Sequence, residues 1–555
     1  MKRVFMAVAL LLSVPTEPGW AICSGGPPRV PGYPREPRDP GYPVGPPDSV
    51  PLPVDPKQRY LVGDYDRWWG IIRDEILLTL KKSPEDALEH YEEKAVSPDA
   101  VPALLSLVGY EGDFCAIVKE VGLRRLRRIP KVDEALGAIL TDGRALAPQR
   151  AWAAYALGDL RCRRAIPALI DSLKQPDETL RAFSALALGR MGDPEAFLAI
   201  LPLARNRSEA GSVRCLAILS LALSEEPPVR GALSSLAQDA DEPPIRRSAI
   251  LALGVRAVGA ERETLSRLCA SGEAEIRAAA VLALALSGAS PQIPSKLLKE
   301  DPEAMVRGYA ALGLGLTGGT ESIAPLTQAL EKDRDFSVRG CAALALGRTR
   351  DPRAVEPLSK ACASRSYAFV SDYAAIGLGL SGQAAALPAL SEGLGSKQFD
   401  RITSSAAGLA LLGCPEGAEA VLKALENRNH PIVREYAVVA LAHFRKPGSL
   451  PKLLECLEDK IFEVRHAAAL ALAVYGDPAA CPALEKALKD KHETVRTCAA
   501  LAFDLLTADE RRPLTLGDQF KADPRNQNSR RAGPWEINRL FNRYLPADYK
   551  LPITP

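Results

Sequence analysis

The chain has 555 residues, of which 47% are apolar and 25% are charged, and its formal net charge is +2. This length exceeds what one hydrophobic core organises, so it predicts several domains or one elongated repeat array. The near-neutral charge argues against a general nucleic-acid-binding protein, which carries a clear basic excess. Aromatic residues make up only 6% of the chain, which favours closely packed helices over a β-sandwich.

Residues 1–21 have the pattern of a secretory signal peptide. Lys2 belongs to a basic start, an apolar run of 11 residues spans 4–14, and Ala21 precedes the expected cleavage site. The run is shorter than the roughly 20 residues that cross a bilayer. The sequence therefore predicts an exported protein of the periplasm, cell envelope or extracellular space. A lipid anchor on Cys23 and a cytoplasmic protein with a false signal are the alternatives.

Two segments separate this signal from the main pattern. Residues 22–58 form a Pro-rich linker, whose composition favours extended polyproline II over a packed core. A spacer is the preferred interpretation, and a ligand for an aromatic groove, based on "PREP" at 34–37, is the alternative. Residues 59–114 are predicted to form an N-terminal helical cap, in which Ser83 and Ser97 begin helices as N-caps.

Residues 115–508 contain one phrase again and again: Val-Arg or a close variant, followed by an Ala/Leu run. Consecutive copies lie 30 to 33 residues apart. A fixed period of this size indicates a solenoid of stacked repeats. Aligned on the Arg position, the copies fall at Arg150, Arg181, Arg214, Arg246, Arg277, Arg307, Arg339, Ser371, Thr403, Arg434, Arg465 and Arg496.

Each period has room for two helices. In the last complete unit Gly476 is expected to end one helix, Asp477 to cap the next, and Pro478 to occupy its first turn. The second helix of each unit is apolar nearly all round, so it must be buried between its neighbours. The predicted fold is an all-α solenoid of about twelve two-helix repeats of about 31 residues.

The repeat pattern resembles HEAT-type α-solenoids, in particular the short variety named after phycobilisome lyases. The resemblance rests on "GDPEA" at 192–196, "RDPRAVEPL" at 350–358, "GDPAACPAL" at 476–484 and "VR…AALALG" at 338–347. It covers roughly residues 115–506. It implies the solenoid fold and a ladder of charged residues between repeats, but such arrays serve many functions.

An Asp often stands six residues before the Arg of the phrase, and we expect these residues to form a structural ladder by pairing within or between repeats. The members are Asp301, Arg307, Asp333, Arg339, Asp459, Arg465, Asp490 and Arg496. Ser371 and Thr403 interrupt the ladder in consecutive repeats. The interruption marks either a local change of curvature, the preferred interpretation, or a contact site.

Some relatives implied by the resemblance are enzymes, and their chemistry requires particular residues. Deoxyhypusine hydroxylases hold two irons with His-Glu pairs, but this chain has five histidines and a single His-Glu pair, at His492. No P-loop or G-x-S-x-G motif occurs, and the histidines of neighbouring repeats stand in different phases. No catalytic residue, cofactor or metal is predicted.

The default function of such an array is binding on its concave surface. The first and second positions after the Arg are expected to be partly exposed there, and they vary most between repeats. The candidates for partner binding are Arg247, Tyr309, Asp372, Tyr373, Glu435, Tyr436 and His466. Tyr is favoured at interface hot spots, although packing of these rings between repeats is an equal alternative.

Residues 509–555 form a basic tail, which from Arg511 onward contains nine Lys/Arg and four Asp/Glu. Its "WEINRLFNRYL" has amphipathic helical spacing, so it is expected to dock back on the array, with weak membrane-surface contact as the alternative. The sequence thus predicts a non-catalytic scaffold for an unknown protein partner, without specific nucleic-acid binding or a transmembrane segment. A lyase-like or enzyme-accessory protein with a small-molecule or metal site, and a structural cell-envelope component, are the rival hypotheses.

Overall fold

The computed structural model describes residues 101–108 and most of 122–506. Within the second range, residues 124–125, 241, 318, 365–367, 397, 427–430, 443, 445–447 and several positions between 493 and 505 are not described. The described residues contain 24 α-helices, several short 3₁₀ turns and no β-strand. The predicted signal peptide, the Pro-rich linker, the basic tail and nearly all of the predicted helical cap lie outside the described residues.

The helices alternate along the chain between two layers, and we call the first helix of each repeat outer and the second inner. Helix α1, Val101–Val108, precedes the pairs. The outer helices are α2 (Val132–Thr141), α4 (Ile166–Ser172), α6 (Pro194–Arg205), α8 (Pro227–Asp239), α10 (Ala260–Leu268), α12 (Gln292–Glu300), α14 (Ile323–Lys332), α16 (Val355–Ala363), α18 (Leu387–Leu394), α20 (Pro415–Leu425), α22 (Ser449–Cys456) and α24 (Cys481–Ala487).

The inner helices carry the repeated phrase. They are α3 (Ala147–Asp159), α5 (Glu178–Met191), α7 (Gly211–Ser220), α9 (Pro243–Gly254), α11 (Ala274–Leu286), α13 (Ala304–Thr317), α15 (Phe336–Thr349), α17 (Ala368–Ser381), α19 (Phe399–Leu412), α21 (Pro431–Leu441) and α23 (Phe462–Tyr475). The first eleven phrase positions therefore each lie in one inner helix, which confirms the predicted solenoid of two-helix repeats.

The turn residues act at the helix ends as the sequence predicts. Gly476 ends α23 with φ 77°, a left-handed conformation that glycine adopts without strain, and its N–H donates to the carbonyl of Leu472. The Asp477 carboxylate accepts the backbone N–H of Ala479, and Pro478 begins the next short turn. Asp177 and Asp335 cap α5 and α15 through their side chains in the same way.

The core is a continuous strip of apolar side chains along the array, and the inner helices supply most of it. In α23 every residue from Val464 to Val474 is buried. Neighbouring inner helices pack much more extensively against one another than neighbouring outer helices do. The inner helices therefore form the more extensively packed layer of the array.

Glycine makes the closest of these approaches possible. A Cβ atom added to Gly347 of α15 would lie 2.2 Å from the carbonyl oxygen of Gly377 in α17, and one added to Gly379 would lie 2.4 Å from that of Gly408 in α19. Both distances are far inside van der Waals contact, so only glycine fits there. The inner layer is therefore tightest between α15 and α19.

Candidate functional site

The predicted ladder joins neighbouring repeats. Arg307 donates from Nε to Oδ2 of Asp333 over 2.8 Å and from Nη2 to Oδ1 over 2.9 Å. Arg465 makes the same two bonds to Asp490, at 2.7 and 2.9 Å. In each case the Asp belongs to the following repeat. The pairs of this geometry are Arg277–Asp301, Arg307–Asp333, Arg434–Asp459 and Arg465–Asp490.

Three of the four Asp residues in these pairs also bind the Arg of their own repeat. The backbone carbonyl of Asp301 accepts a hydrogen bond from Nη1 of Arg307 over 3.0 Å, while its side chain holds Arg277. The carboxylate of Asp301 accepts the backbone N–H of Glu303 as well, over 3.0 Å. The same arrangement recurs at Asp459 with Arg465 and at Asp490 with Arg496. One Asp thus connects the preceding repeat to the Arg of its own repeat.

The first repeats use Glu in place of Asp. Arg181 in α5 pairs with Glu209 through two hydrogen bonds of 2.9 and 2.7 Å, and Arg214 and Arg246 pair with Glu242 and Glu273. The hydrogen bond from Arg181 lowers the pKa of Glu209, although burial opposes this shift. The sequence pattern missed this part of the ladder because these carboxylates do not stand six residues before an Arg of the phrase.

The ladder changes in the middle of the array. The Nε atom, which in the four Arg–Asp pairs donates to the carboxylate, in Arg339 donates to the carbonyl of Leu330 over 2.8 Å. Ser371, at the next equivalent position, donates to the carbonyl of Cys362 over 2.6 Å, so it also bonds within its own repeat. The side chain of Thr403 lies outside the described residues. The interrupted section coincides with the tightest glycine contacts of the inner layer.

The expectation that the first and second positions after the Arg are partly exposed is wrong for nearly all of the proposed partner-binding residues. Tyr309 is half-buried, and the other six are no more than 8% exposed. The buried residues are Arg247, Asp372, Tyr373, Glu435, Tyr436 and His466. The reason is the close packing of the inner helices, which turns these positions toward the neighbouring repeat.

The buried polar residues among these candidates bind to neighbouring helices. Arg247 forms an ion pair with Glu275, and the hydroxyl of Ser404 donates to Oδ1 of Asp372 over 2.9 Å. Burial raises the pKa of the Tyr309 hydroxyl well above its usual value. These side chains therefore stabilise contacts between repeats, and they do not form the aromatic strip that the sequence suggested.

The two described histidines both lie near the ring of Phe462. His492 stacks on the ring of Phe462, with centroids 3.7 Å apart and planes at 11°, while His466 is buried inside α23. His90, His430 and His443 lie outside the described residues. Where the structure describes the chain, no three His, Cys, Asp or Glu side chains are grouped to hold a metal ion, and no helix has the length and apolar character to cross a bilayer.

The nine described cysteines all carry free thiols. Burial raises the pKa of Cys362 to about 11 and that of Cys269 to about 12. Such thiols stay protonated at neutral pH, and the thiolate is the nucleophile. They behave as small apolar core residues, as their positions in Ala/Leu-rich helices predict.

A different set of aromatic residues forms a cluster that sequence reasoning did not identify. Trp152 and Tyr155 of α3 meet Phe183 of α5 in edge-to-face contacts: the Trp152 ring centroid lies 5.0 Å from that of Phe183 and 5.5 Å from that of Tyr155. The guanidinium of Arg190 lies 4.6 Å from the Tyr155 ring centroid, in cation–π geometry. We call Trp152, Tyr155, Phe183, Leu186 and Arg190 the inner aromatic patch.

The patch residues occupy equivalent positions of two consecutive inner helices. Trp152 and Phe183 stand two places after the Arg of the phrase, and Tyr155 and Leu186 stand five places after it. All are half-buried, so part of each side chain stays accessible to solvent. Large apolar residues at both of these positions, in two adjacent repeats, are the sequence signal that would have located the patch.

Charged side chains border the rings on one side. Asp159 accepts a hydrogen bond from Nη2 of Arg127 over 2.9 Å and lies 3.7 Å from Nη1 of Arg190. The patch therefore combines an apolar aromatic surface with a small network of both charge signs. Trp, Tyr and Arg are the residues most enriched at interface hot spots, so the arrangement is suited to binding a protein segment.

The comparisons with known proteins identify the repeat type. A sequence comparison with curated proteins gives no significant match. Among solved structures, human deoxyhypusine hydroxylase is 19% identical with a TM-score of 0.22, covering 50% of this chain and 95% of that chain. The phycocyanin lyase complex CpcE–CpcF of a Nostoc species is 20% identical with a TM-score of 0.28, covering 46% and 95%. Importin beta is 16% identical with a TM-score of 0.34, covering 79% and 72%.

Since these TM-scores are low, no conclusion about activity follows from them. A family model described as HEAT repeats matches residues 134–210, 293–379 and 418–504. All three ranges lie inside the array, where the helical pairs recur every 30 to 33 residues. These three ranges of the chain are therefore HEAT repeats, and the same pairing of helices continues between them.

Proposed function

We propose that the protein is a non-catalytic interaction scaffold that binds a protein partner on the inner side of its array, through the inner aromatic patch. The observation that carries this proposal is the cluster of Trp152, Tyr155 and Phe183 rings beside the guanidinium of Arg190. Half-buried rings fixed by their neighbours offer apolar contact area without a large entropy cost on binding.

The chemistry of the patch favours a polypeptide over a nucleic acid. Its two neighbouring arginines, Arg127 and Arg190, both lie against Asp159, which neutralises part of their charge, and the whole chain carries a net charge of only +2. Phosphate binding needs uncompensated basic groups. A partner segment with apolar side chains and a few polar groups complements this surface better.

Photo-crosslinking tests the proposal at a single position. A photoreactive phenylalanine analogue replaces Leu186, which is half-buried in the patch, in the protein expressed in its native source. The matched control carries the analogue at Leu198, which is 45% exposed on outer helix α6. We expect one dominant protein adduct from position 186, absent from position 198 and lost in a Phe183→Ser background. Equal adducts from both positions contradict the proposal.

The rival hypothesis of a lyase-like or enzyme-accessory protein makes a different prediction. It requires a chromophore or stoichiometric metal that remains bound to the purified protein. Absorption spectra and elemental analysis of the protein from its native source measure this directly. A retained ligand without a position-186 adduct would favour the rival.

We also propose that the protein acts outside the cytoplasm. The support is the basic start and apolar run of residues 1–21, which precede small residues at the expected cleavage site. Terminal sequencing of the mature protein is expected to begin at Ile22. An intact Met1 on the functional protein would argue for the cytoplasmic alternative, and a lipid-modified Cys23 for the anchored one.

In either case the basic tail is proposed to dock on the array, with membrane-surface contact as its alternative.

A further inference from the structure

We infer that the inner aromatic patch is a docking site for the chain's own Pro-rich segment, residues 28–46, before a partner binds. The inference rests on the proposed binding surface and adds an intramolecular occupant to it. Three independent features support it: the chemistry of the patch, the spacing of the prolines, and the length of chain between the two.

The patch has the chemistry that proline-rich segments bind. Polyproline II ligands dock on grooves lined by aromatic rings, because the flat faces and edges of the rings accept proline side chains. Trp152, Tyr155 and Phe183 form such a surface, with rings tilted at 57° to 71° to one another. Leu216 of α7 is also half-buried and occupies the same repeat position as Trp152 and Phe183. The apolar surface therefore crosses three consecutive inner helices.

The proline spacing matches the spacing of those helices. Proline occupies every third position from Pro28 to Pro46, namely Pro28, Pro31, Pro34, Pro37, Pro40, Pro43 and Pro46. A polyproline II helix has three residues per turn and rises about 3.1 Å per residue, so these prolines would share one edge at intervals of roughly 9 Å. Packed helices lie roughly 8–10 Å apart. Consecutive prolines of the edge can thus meet consecutive inner helices.

The chain between segment and patch is long enough for an intramolecular contact. Residues 47–100 lie between Pro46 and the start of α1. Residues 47–58 alone, which precede the predicted helical cap, would span up to roughly 40 Å when extended. The patch lies in the first two complete helical pairs after α1, near the end of the array where this chain enters. Tethering raises the effective concentration of the segment to the millimolar range, so a weak contact is sufficient for occupancy.

The experiment places a photoreactive phenylalanine analogue at Tyr42, which precedes Pro43 in the segment, in the purified full-length mature chain. We expect adducts within one chain to residues 152–155 and 183–190, with a yield independent of protein concentration. Adducts between chains, whose yield rises with concentration, would show a second copy as the occupant and overturn the inference. Adducts to other regions, or no adduct at all, would also overturn it.

Two variants of the segment provide a matched pair that leaves the array untouched. Replacing Pro34, Pro37, Pro40 and Pro43 by Ala removes the proline edge, and we expect the patch adduct to fall at least fivefold. Replacing four prolines that lie outside the three-residue register, Pro27, Pro47, Pro51 and Pro53, is expected to leave it unchanged. Equal loss in both variants would show that composition, not register, determines the contact, and would overturn the inference.

A change on the array side is matched in the same way. Phe183→Ser is expected to reduce the intrachain adduct, whereas Phe336→Ser, at an aromatic side chain that is 44% exposed far along the array, is not. The partner adduct from position 186 is measured separately. If that adduct forms while the segment adduct does not, the inference fails and the proposed function stands. If only the segment adduct forms, the proposed function fails and the inference stands.

Discussion

Arg307 and Asp333 are 26 positions apart in the sequence and form an ion pair with two hydrogen bonds, although their side chains are only 5% and 8% exposed. Removing the cation leaves a buried carboxylate without its partner, which is strongly destabilising. Arg307→Ala is therefore expected to lower the free energy of unfolding by about 3 kcal/mol, measured by urea denaturation. Hydrogen exchange should show the largest loss of protection in α13 and α15.

The exposed pair Arg353–Asp351 is the matched control, since the Arg353 side chain is 62% exposed. Exposed ion pairs contribute little to stability, so Arg353→Ala should leave the urea midpoint unchanged. If both variants lost the same stability, the buried ladder would have no special role. Loss of protection spread evenly along the array would contradict a contact that acts between two adjacent repeats.

The carboxylates of the ladder predict loss of stability in acid. The hydrogen bond from Arg181 lowers the pKa of Glu209. Burial alone would raise the pKa of Asp490, but hydrogen bonds from Arg465 and from the backbone N–H of His492 lower it below its usual value. A carboxyl group whose native pKa is lowered stabilises the fold above its unfolded pKa, and this contribution is lost as the pH falls through the native pKa.

The melting temperature should therefore stay nearly constant from about pH 7 to about pH 5 and fall below about pH 4.5, where unfolded Glu and Asp begin to take up protons. Glu209→Gln removes one of these carboxylates. Its melting temperature should lie below that of the unchanged protein at neutral pH, and the difference should shrink in acid. A difference that stays constant down to about pH 3, below the unfolded pKa of Glu, would contradict this prediction.

The close approach of α15 and α17 predicts that one methyl group is too large for it. An added Cβ at Gly347 would lie 2.2 to 2.7 Å from backbone atoms of Gly377, so the two helices must move apart. Gly347→Ala is expected to cost about 1–3 kcal/mol of stability.

Gly137, inside outer helix α2, is the matched control. A Cβ added to this residue would meet no atom within 4 Å, so Gly137→Ala should stabilise the fold by up to about 1 kcal/mol through its higher helix propensity. Thermal or urea unfolding of the two variants gives the comparison. A gain in stability from Gly347→Ala would refute the steric interpretation.

The buried thiols predict slow chemical labelling of the native protein. Burial raises the pKa of Cys362 to about 11 and that of Cys456 to about 12, so few thiolates exist at about pH 8. We expect iodoacetamide to modify both residues slowly until denaturant is added, as followed by peptide mass spectrometry. Modification of these cysteines at the rate of a free thiol in native buffer would show that the array opens locally.

Sequence reasoning located the repeats because their signals are local. The caps at Asp477 and Gly476 and the apolar period of each helix depend on residues within one turn of one another. The partners in the ladder could not be predicted from one repeat alone. The sequence placed Asp301 six residues before Arg307, but its carboxylate binds Arg277 of the preceding repeat. Only the stacking of repeats determines that partner.

The exposure of the inner face could not be predicted because it depends on which side chains the neighbouring repeats place around each position. Phe183 and Tyr373 occupy the same position of the repeat. Phe183 is half-buried near the start of the array, whereas Tyr373 is 2% exposed. Glycines bring neighbouring inner helices close at both places, at Gly158 and Gly189 around Phe183 and at Gly347 and Gly379 around Tyr373, so helix spacing alone does not decide the exposure. The pattern of apolar residues within one repeat does not show how its neighbours surround them.

The double role of the ladder Asp has a consequence for how the array can change in length. A deletion of residues 459–489 would remove one whole repeat and bring Asp490 to the place of Asp459, where its carboxylate meets Arg434 while its carbonyl keeps the hydrogen bond from Arg496. A deletion whose length differs from one repeat would place another residue opposite Arg434 and leave its guanidinium without the ladder carboxylate. Whole repeats can therefore be lost or duplicated at these aspartates, because the ion pair on one side and the carbonyl hydrogen bond on the other are both restored.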